Sequence, residues 1–442
     1  MLLQNLSNRI DFGSWIKSRS SHSLFSNAFA LVSSNLLTAF SGYLFWIIAA
    51  RRFDEELVGV GSAVVSSMAL IELLTNLGLG TALIRFLPGA REEAERKQTI
   101  NVSITVRLAT ALLLATLFLL GLHFCAPGLM VLQAQPVLGA VFILLVVSNG
   151  FFTLLASLFI AIRKSLYVLV MSVTYNVMKV LLALFSALSL GLLSLMNAFL
   201  IPIVFSILVS GSIFRSRSGS RYIPAPCFGF RQHRDFFNYA VSNQLADAFI
   251  IFPYLLMPVL ILNRLGPQAA AHFYPALMIA GLLRTASASI SQSTFAEGAA
   301  NPEDLYRHLR NSFWLSLPTV LILGALTGVF APWLLHLFGQ QYAREGVLLL
   351  PWLLLSTLPY MVLNVWCVTA FRIQKNIKFL LSISLTWSLF SLCGAAGGIQ
   401  TGGLKGAVMG WLVGQSAAVL LSIALTLPRR WKRMAAESAA WR

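Results

Sequence analysis

Between Arg107 and Arg163 the chain reads LATALLLATLFLLGLHFCAPGLMVLQAQPVLGAVFILLVVSNGFFTLLASLFIAI, 55 residues (108–162) without one Asp, Glu, Lys or Arg. Turn formers break this run only at His123-Phe-Cys-Ala-Pro-Gly128 and Gln133-Ala-Gln-Pro136. A bilayer core of about 30 Å takes roughly 20 apolar residues of helix at 1.5 Å each. The run therefore holds two membrane crossings back to back, a demand no soluble core makes. With lipid as solvent, every backbone polar group must be satisfied inside the segment, which dictates helix.

The pattern repeats along all 442 residues, of which 57% are hydrophobic and 11% charged, where a soluble domain carries about 25% charged. Twelve spans are expected, near 26–50, 57–81, 99–122, 137–162, 165–189, 195–213, 237–262, 270–292, 311–331, 346–371, 378–397 and 404–427. The fold class that follows is an all-α integral membrane protein. The net charge of +17 would suit nucleic acid, but its distribution points elsewhere. With the N-terminus in the cytoplasm, 24 of the 32 Lys and Arg fall in inner segments. Only Arg51, Arg52, Arg264, Arg344 and Lys405 fall in outer loops. This is the positive-inside bias, so both termini are expected to be cytoplasmic. Residues 1–20 suit either an interfacial helix or a disordered tail, ahead of a first span that acts as an uncleaved anchor. Cys125, Cys227, Cys367 and Cys393 form no CxxC pair, so neither a metal site nor a disulfide framework is expected, and no motif calls for a cofactor.

The longest interior break, Phe214 to Asp235, divides the spans six and six. The expected organisation is a cytoplasmic N-terminal segment (1–24), an N-lobe (25–213), a basic linker (214–236), a C-lobe (237–427) and a basic cytoplasmic tail (428–442). At an offset of 211 or 212, Phe25-Ser-Asn27 falls on Phe236-Phe-Asn238, Tyr43-Leu44 on Tyr254-Leu255, and Arg51-Arg52-Phe53 on Asn263-Arg264-Leu265. Two six-helix lobes related by a pseudo-twofold axis along the membrane normal follow, a transporter architecture. The outer loops are short and leave no room for an extracytoplasmic domain. Asp54-Glu55-Glu56 is the one acidic cluster outside, and a polytopic glycosyltransferase or polymerase would keep catalytic acids there. A solvated turn balancing Arg51-Arg52 accounts for it more simply, and no enzyme activity is expected.

Five ionisable residues fall within spans: Glu72, Arg107, Lys179, Asp247 and Arg284. Each costs about 2.5–3.5 kcal/mol at a helix centre unless it finds a partner or water, so such residues mark pathways as often as packing. At offset 212 Glu72 falls on Arg284 and Asn35 on Asp247. Opposite charges at equivalent places can face one another across a central cavity, as a switchable pair or as a static salt bridge. Lys179 sits too deep for its stem to reach either interface easily. Arg107, about 12 Å from the inner end of its span, is within reach of snorkelling. Asp247 closes the polar run Ser242-Asn-Gln-Leu-Ala-Asp247, where a carboxylate can take up a proton or sodium, or can instead bond a neighbouring helix. Pro253, Pro258, Pro275, Pro318, Pro351 and Pro359 lie in the second-half spans, whereas spans 1 to 5 have no internal proline, which makes the second half the likelier to bend.

Phe45-Trp-Ile-Ile-Ala-Ala-Arg-Arg-Phe53, Val58-Gly-Val-Gly-Ser-Ala63 and Leu77-Gly-Leu-Gly-Thr-Ala-Leu-Ile-Arg-Phe-Leu-Pro88 together resemble the opening spans of polysaccharide-biosynthesis flippases. Those proteins belong to the multidrug/oligosaccharidyl-lipid/polysaccharide exporter superfamily. Leu337-Phe-Gly-Gln-Gln-Tyr342, followed by a span with Pro351 and Pro359, is similar to that family's outer loop between spans 9 and 10 and its tenth span. The resemblance covers about 25 to 427 and rests on helix-packing patterns. It implies a V-shaped pair of lobes that alternate in access and move polyprenyl-diphosphate-linked oligosaccharides, lipid-linked peptidoglycan precursor or cationic drugs. The fourteen spans of many peptidoglycan-precursor flippases are not met. Drug exporters of the superfamily carry cavity acids, whereas here Asn35 stands where one might be sought and three intramembrane bases outnumber two acids. That departure favours an anionic headgroup. On this reading Arg284, Lys179 and Arg107 bind a diphosphate, Asp247 and Glu72 couple to an ion, and Asn35, Asn243 and Gln244 are polar cavity residues. Expected partners are the lipid-linked oligosaccharide, membrane lipid, a proton or sodium ion, and a polymerase or glycosyltransferase, with the chain in the inner (cytoplasmic) membrane. A cation-coupled multidrug antiporter is the alternative.

Overall fold

A computed structural model describes residues 20–89, 92–185, 190–218, 225–227, 234–300, 304–374 and 376–440, and every regular element among them is helical. The possible interfacial helix within residues 1–19 and most of the basic linker lie outside the described residues. Eleven stretches are long and apolar enough to cross a membrane. The last, Ile377–Ala424, is two helices joined where Gly402 and Gly403 leave helical geometry, with φ +57° at Gly403, so the crossings number twelve. In chain order they are α1 (Ser20–Arg52), α2 (Glu55–Asn76), α3 (Glu93–Leu120), α4 (Pro136–Ala161), α5 (Ser165–Phe185) and α6 (Leu192–Ser218). The second lobe has α7 (Arg234–Leu265), α8 (Pro267–Ala300), α9 (Leu305–His336), α10 (Gln340–Ile373), α11 (377–401) and α12 (404–440).

Two expected boundaries change. The second crossing ends at Asn76 rather than near 81, because Leu77 (φ +46°) and Gly78 (φ +70°) adopt left-handed geometry that stops the helix. The chain then turns into a short helix, Leu79–Phe86. The tenth crossing is broken after Pro351 and again after Pro359, where residues Leu363–Val368 run as a π-helix.

With twelve crossings both termini lie at one end, called here the termini end, and the opposite end is the far end. At the far end both lobes share one hydrophobic core, in which Phe45, Trp46 and Ala63 pack with Phe273, Ala276 and Leu335. Toward the termini end that core divides into clusters that each belong to one lobe. Leu79, Leu83, Val102 and Leu154 form one in the first lobe, while Ala246, Tyr360, Leu363 and Trp387 form one in the second. A cleft that closes at the far end accounts for this division. The lobes also touch along one side, α2 against α7 and α8, whereas α1 meets α8 through little more than its far-end turns.

Polar contacts reinforce the far-end closure. Arg51 donates to the carbonyls of Leu337 (2.9 Å) and His336 (2.7 Å) at the end of α9, and Tyr43 to that of Leu334 (2.8 Å). Asn263 accepts from Gly128 N–H at 2.9 Å and donates to the Cys125 carbonyl. Glu55, from the acidic outer turn, reaches His272 at 3.1 Å across the two lobes. At Gly59 the helices approach so closely that a Cβ would run into the Pro267 carbonyl.

The α11–α12 hairpin uses the same device more extensively. Gly394, Gly398, Gly406, Gly410 and Gly414 meet across it with backbone against backbone. Where lipid is as apolar as Leu, such close approach is what holds membrane helices together. Gly410→Ala is therefore expected to cost about 1–3 kcal/mol, read as a lower melting temperature of the purified protein in detergent. Gly397→Ala, which points into open space, should leave the melt unchanged.

Candidate functional site

Arg107 does not snorkel. It is 1% exposed inside the first lobe, where it pairs with the Glu72 carboxylate and donates to Thr75 Oγ1 (2.8 Å), Thr153 Oγ1 (3.3 Å) and the carbonyls of Glu72 and Gly150. Glu72 in turn accepts from Asn149 (3.1 Å) and Thr153 (2.9 Å). A guanidinium with this many acceptors is saturated, and it ties the last turn of α2, just before the break at Leu77-Gly78, to α3 and α4. The expected facing of Glu72 and Arg284 across the cavity is accordingly not what this structure holds. The nearer partner within the same lobe takes Glu72, and Arg107 is not presented to the cleft.

Asp247 is likewise held, by Arg372 at the termini end of α10, and both side chains are partly exposed. Gln244 is half-buried on the same helix and Asn35 is exposed on α1. Asn243 lies in α7, but its side chain is outside the described residues.

Two cations remain, and neither has a carboxylate partner among the described residues. Lys179, 3% exposed, donates to Asn176 Oδ1 at 3.2 Å and lies 4.8 Å from the Tyr175 ring and 6.0 Å from that of Phe199. Asn176 is the hub of a polar seam between α1 and α5, bonding Ser41, Thr38 and Ser172. Arg284, 9% exposed, is sandwiched between Tyr254 (4.8 Å) and Tyr360 (3.9 Å), and its Nη1 has no hydrogen-bond partner.

Cation–π contacts are worth about 0.5–2 kcal/mol, and one partner of a buried ion pair about 3–5 kcal/mol when removed. The Arg107–Glu72 pair, with its guanidinium buried, is therefore fixed by comparison, while Lys179 and Arg284 hold partners that an anion can displace. The two cations sit on opposite lobes. Tyr274 on α8 lies edge-on to Trp46 at 4.8 Å, and Trp46 is tilted against Phe199 at 6.5 Å, the second ring beside Lys179. Tyr175, Tyr254 and Tyr274 are all partly exposed members of this aromatic layer.

The sequence offered one signal for this layer, the i,i+4 spacing of Tyr175 and Lys179. Nothing in it tied Arg284 to Tyr254 and Tyr360, 30 and 76 positions away. Arg372, at the edge of an inner segment, gave no sign that it would claim Asp247.

Solved structures share the arrangement. An inward-facing multidrug resistance MATE family transporter of the MOP superfamily superposes with TM-score 0.65 at 17% identity, over 91% of this chain and 95% of its own. Lipid II flippase MurJ in an inward closed conformation gives 0.67 at 14% identity, over 90% and 87%. An outward-facing MATE family transporter gives 0.59 at 15% identity, over 97% and 98%. Twelve crossings in two lobes are the fold this chain shares with these transporters. The family described as polysaccharide biosynthesis protein matches residues 24–295, more than half of the chain, and this protein belongs to it. A second family, MatE, matches residues 249–395. No curated protein matches the chain in sequence.

The Arg107–Glu72 assignment carries a stability prediction. Arg107→Met leaves the part-buried Glu72 carboxylate unpaired and should destabilise the purified protein by up to about 3–5 kcal/mol. Adding Glu72→Gln should recover much of that loss in the same thermal melt, whereas a headgroup-binding Arg107 would show no such rescue.

Proposed function

We propose that this protein flips a polyprenyl-diphosphate-linked oligosaccharide from the inner to the outer leaflet of the inner (cytoplasmic) membrane, by alternating access. The observation that carries the reading is the state of the intramembrane charges. Both acids are engaged by arginines, while Lys179 and Arg284 rest on aromatic faces, one on each lobe. Such a site repels organic cations and attracts a diphosphate, for which Lys and Arg are natural partners. The positive-inside bias assigns the termini end to the cytoplasm, so the cleft opens toward the leaflet in which such a lipid is made. The sparse contact between α1 and α8 leaves a side through which the polyprenyl tail stays in lipid while the headgroup enters.

Among the acids, Asp247 remains the better candidate for ion coupling, because its pair with Arg372 is partly exposed. Glu72 and Arg107 are assigned instead to lobe structure. A proton or sodium ion, a polymerase and a glycosyltransferase remain the partners this role calls for. The match to the MatE family supports a second reading, efflux of cationic compounds.

The two readings separate in liposomes. Purified protein is reconstituted with a fluorescent polyprenyl-diphosphate oligosaccharide, and an impermeant reagent reports the label that reaches the far leaflet. Transfer above empty liposomes is expected, falling at least about tenfold in Arg284→Ala and in Lys179→Met, each of which removes a charged hydrogen-bond donor. Transport of a cationic dye by the same preparation, with no movement of the lipid, would overturn the flippase reading in favour of efflux.

A further inference from the structure

Arg284 is not the only unsatisfied donor on its face of α8. Ser287, one turn on, is 0% exposed, and its Oγ has no hydrogen-bond partner. Residues three apart on a helix lie on the same face, with Cβ atoms about 5–6 Å apart. A buried serine in a helix ordinarily satisfies itself by bonding back to a carbonyl one turn earlier or by reaching a neighbour. The other buried hydroxyls of α8 do so. Ser291 donates to the Asn364 carbonyl (3.0 Å) and meets Thr369 (2.7 Å), and Thr294 donates to the Ile290 carbonyl (2.8 Å) and to Ser312 (2.5 Å). Ser287 makes no such bond. Arg284, Ser287 and Ser291 thus form one stripe along α8 that faces α10, through Tyr360 beside Arg284 and Asn364 beside Ser291. Two buried donors without acceptors, a turn apart, carry a desolvation cost that an oxyanion between them would remove.

We propose that Ser287 is a headgroup-binding residue, its hydroxyl and Arg284 Nη1 together taking one phosphoryl oxygen of the diphosphate. This assignment rests on the flippase reading and extends it to a residue that carries no charge. Tyr254, the partly exposed ring of the sandwich, is the one displaced as the anion enters. Its hydroxyl is held by the Leu277 carbonyl (3.2 Å), and Gly281 leaves the space it occupies, since a Cβ there would lie 2.5 Å from the hydroxyl.

The test uses the full-length protein in detergent and farnesyl diphosphate as the probe, with binding measured by calorimetry and farnesol as the control without diphosphate. Ser287→Ala deletes only the hydroxyl, and it should bind the probe about tenfold more weakly, the loss of one hydrogen bond to a charged group. Because the deleted group is buried and unsatisfied, the melting temperature should stay the same or rise. Ser291→Ala should do the reverse, binding like the wild type and melting lower. If Ser287→Ala binds as tightly as the wild type, or loses affinity only in step with its melting temperature, the assignment fails. With Arg284→Gln still weakening binding, that failure belongs to Ser287 alone. If Arg284→Gln also binds as tightly as the wild type, or the wild type binds no farnesyl diphosphate, the diphosphate reading fails with it.

Discussion

An ion in hydrocarbon needs a partner, and the kind of partner each intramembrane charge has found organises this molecule. Arg107 and Glu72 claim each other inside the first lobe, and Arg372 claims Asp247 in the second. The first pair spends its carboxylate on lobe structure, and the second, partly exposed, still occupies the other acid. Lys179 and Arg284 are left with ring faces, partners worth a fraction of an ion pair, so their charge stays available to an incoming anion. Had a carboxylate stood beside either one, a diphosphate would first have to break a salt bridge.

Availability alone does not make a transporter, because the cations must also be reachable from one side at a time. The far-end seal supplies that condition. It combines a shared apolar core with polar contacts directed mostly at backbone carbonyls, which other helix positions can replace when the seal opens. The glycine contacts between α11 and α12 work in the opposite sense, locking two helices of one lobe into a single body. Rigid pieces joined by exchangeable contacts are what a rocking motion between lobes requires. The π-helical turn of α10 begins three residues after Tyr360, the ring that stacks on Arg284.

Much of the fold was legible in the sequence because lipid allows so few solutions. Apolar runs near 20 residues must be helices. The miss at the end of α2 came from local backbone geometry. Leu77-Gly78 turns left-handed with apolar residues on both sides, so a reading by hydropathy runs past it. The offset between the halves was read beside the basic break at Phe214 to Asp235, from which two six-helix lobes were expected. It misled where it set Glu72 against Arg284, since a repeat relates backbones and does not choose which side chain reaches a given charge first.

The sequence by itself determined the class of protein, the number of crossings, the division into lobes and the excess of basic over acidic residues in the membrane. Each of these follows from composition and length under the bilayer's constraint. Only the tertiary structure decided which charges cancel and which remain displaceable. That choice depends on contacts between residues as distant as Asp247 and Arg372, or Arg284 and Tyr360. Distances of a few ångströms across helix interfaces set those contacts, and no periodicity along the chain encodes them. The unsatisfied hydroxyl of Ser287 belongs to the same category, because a serine in an apolar helix is unremarked until its neighbours are known.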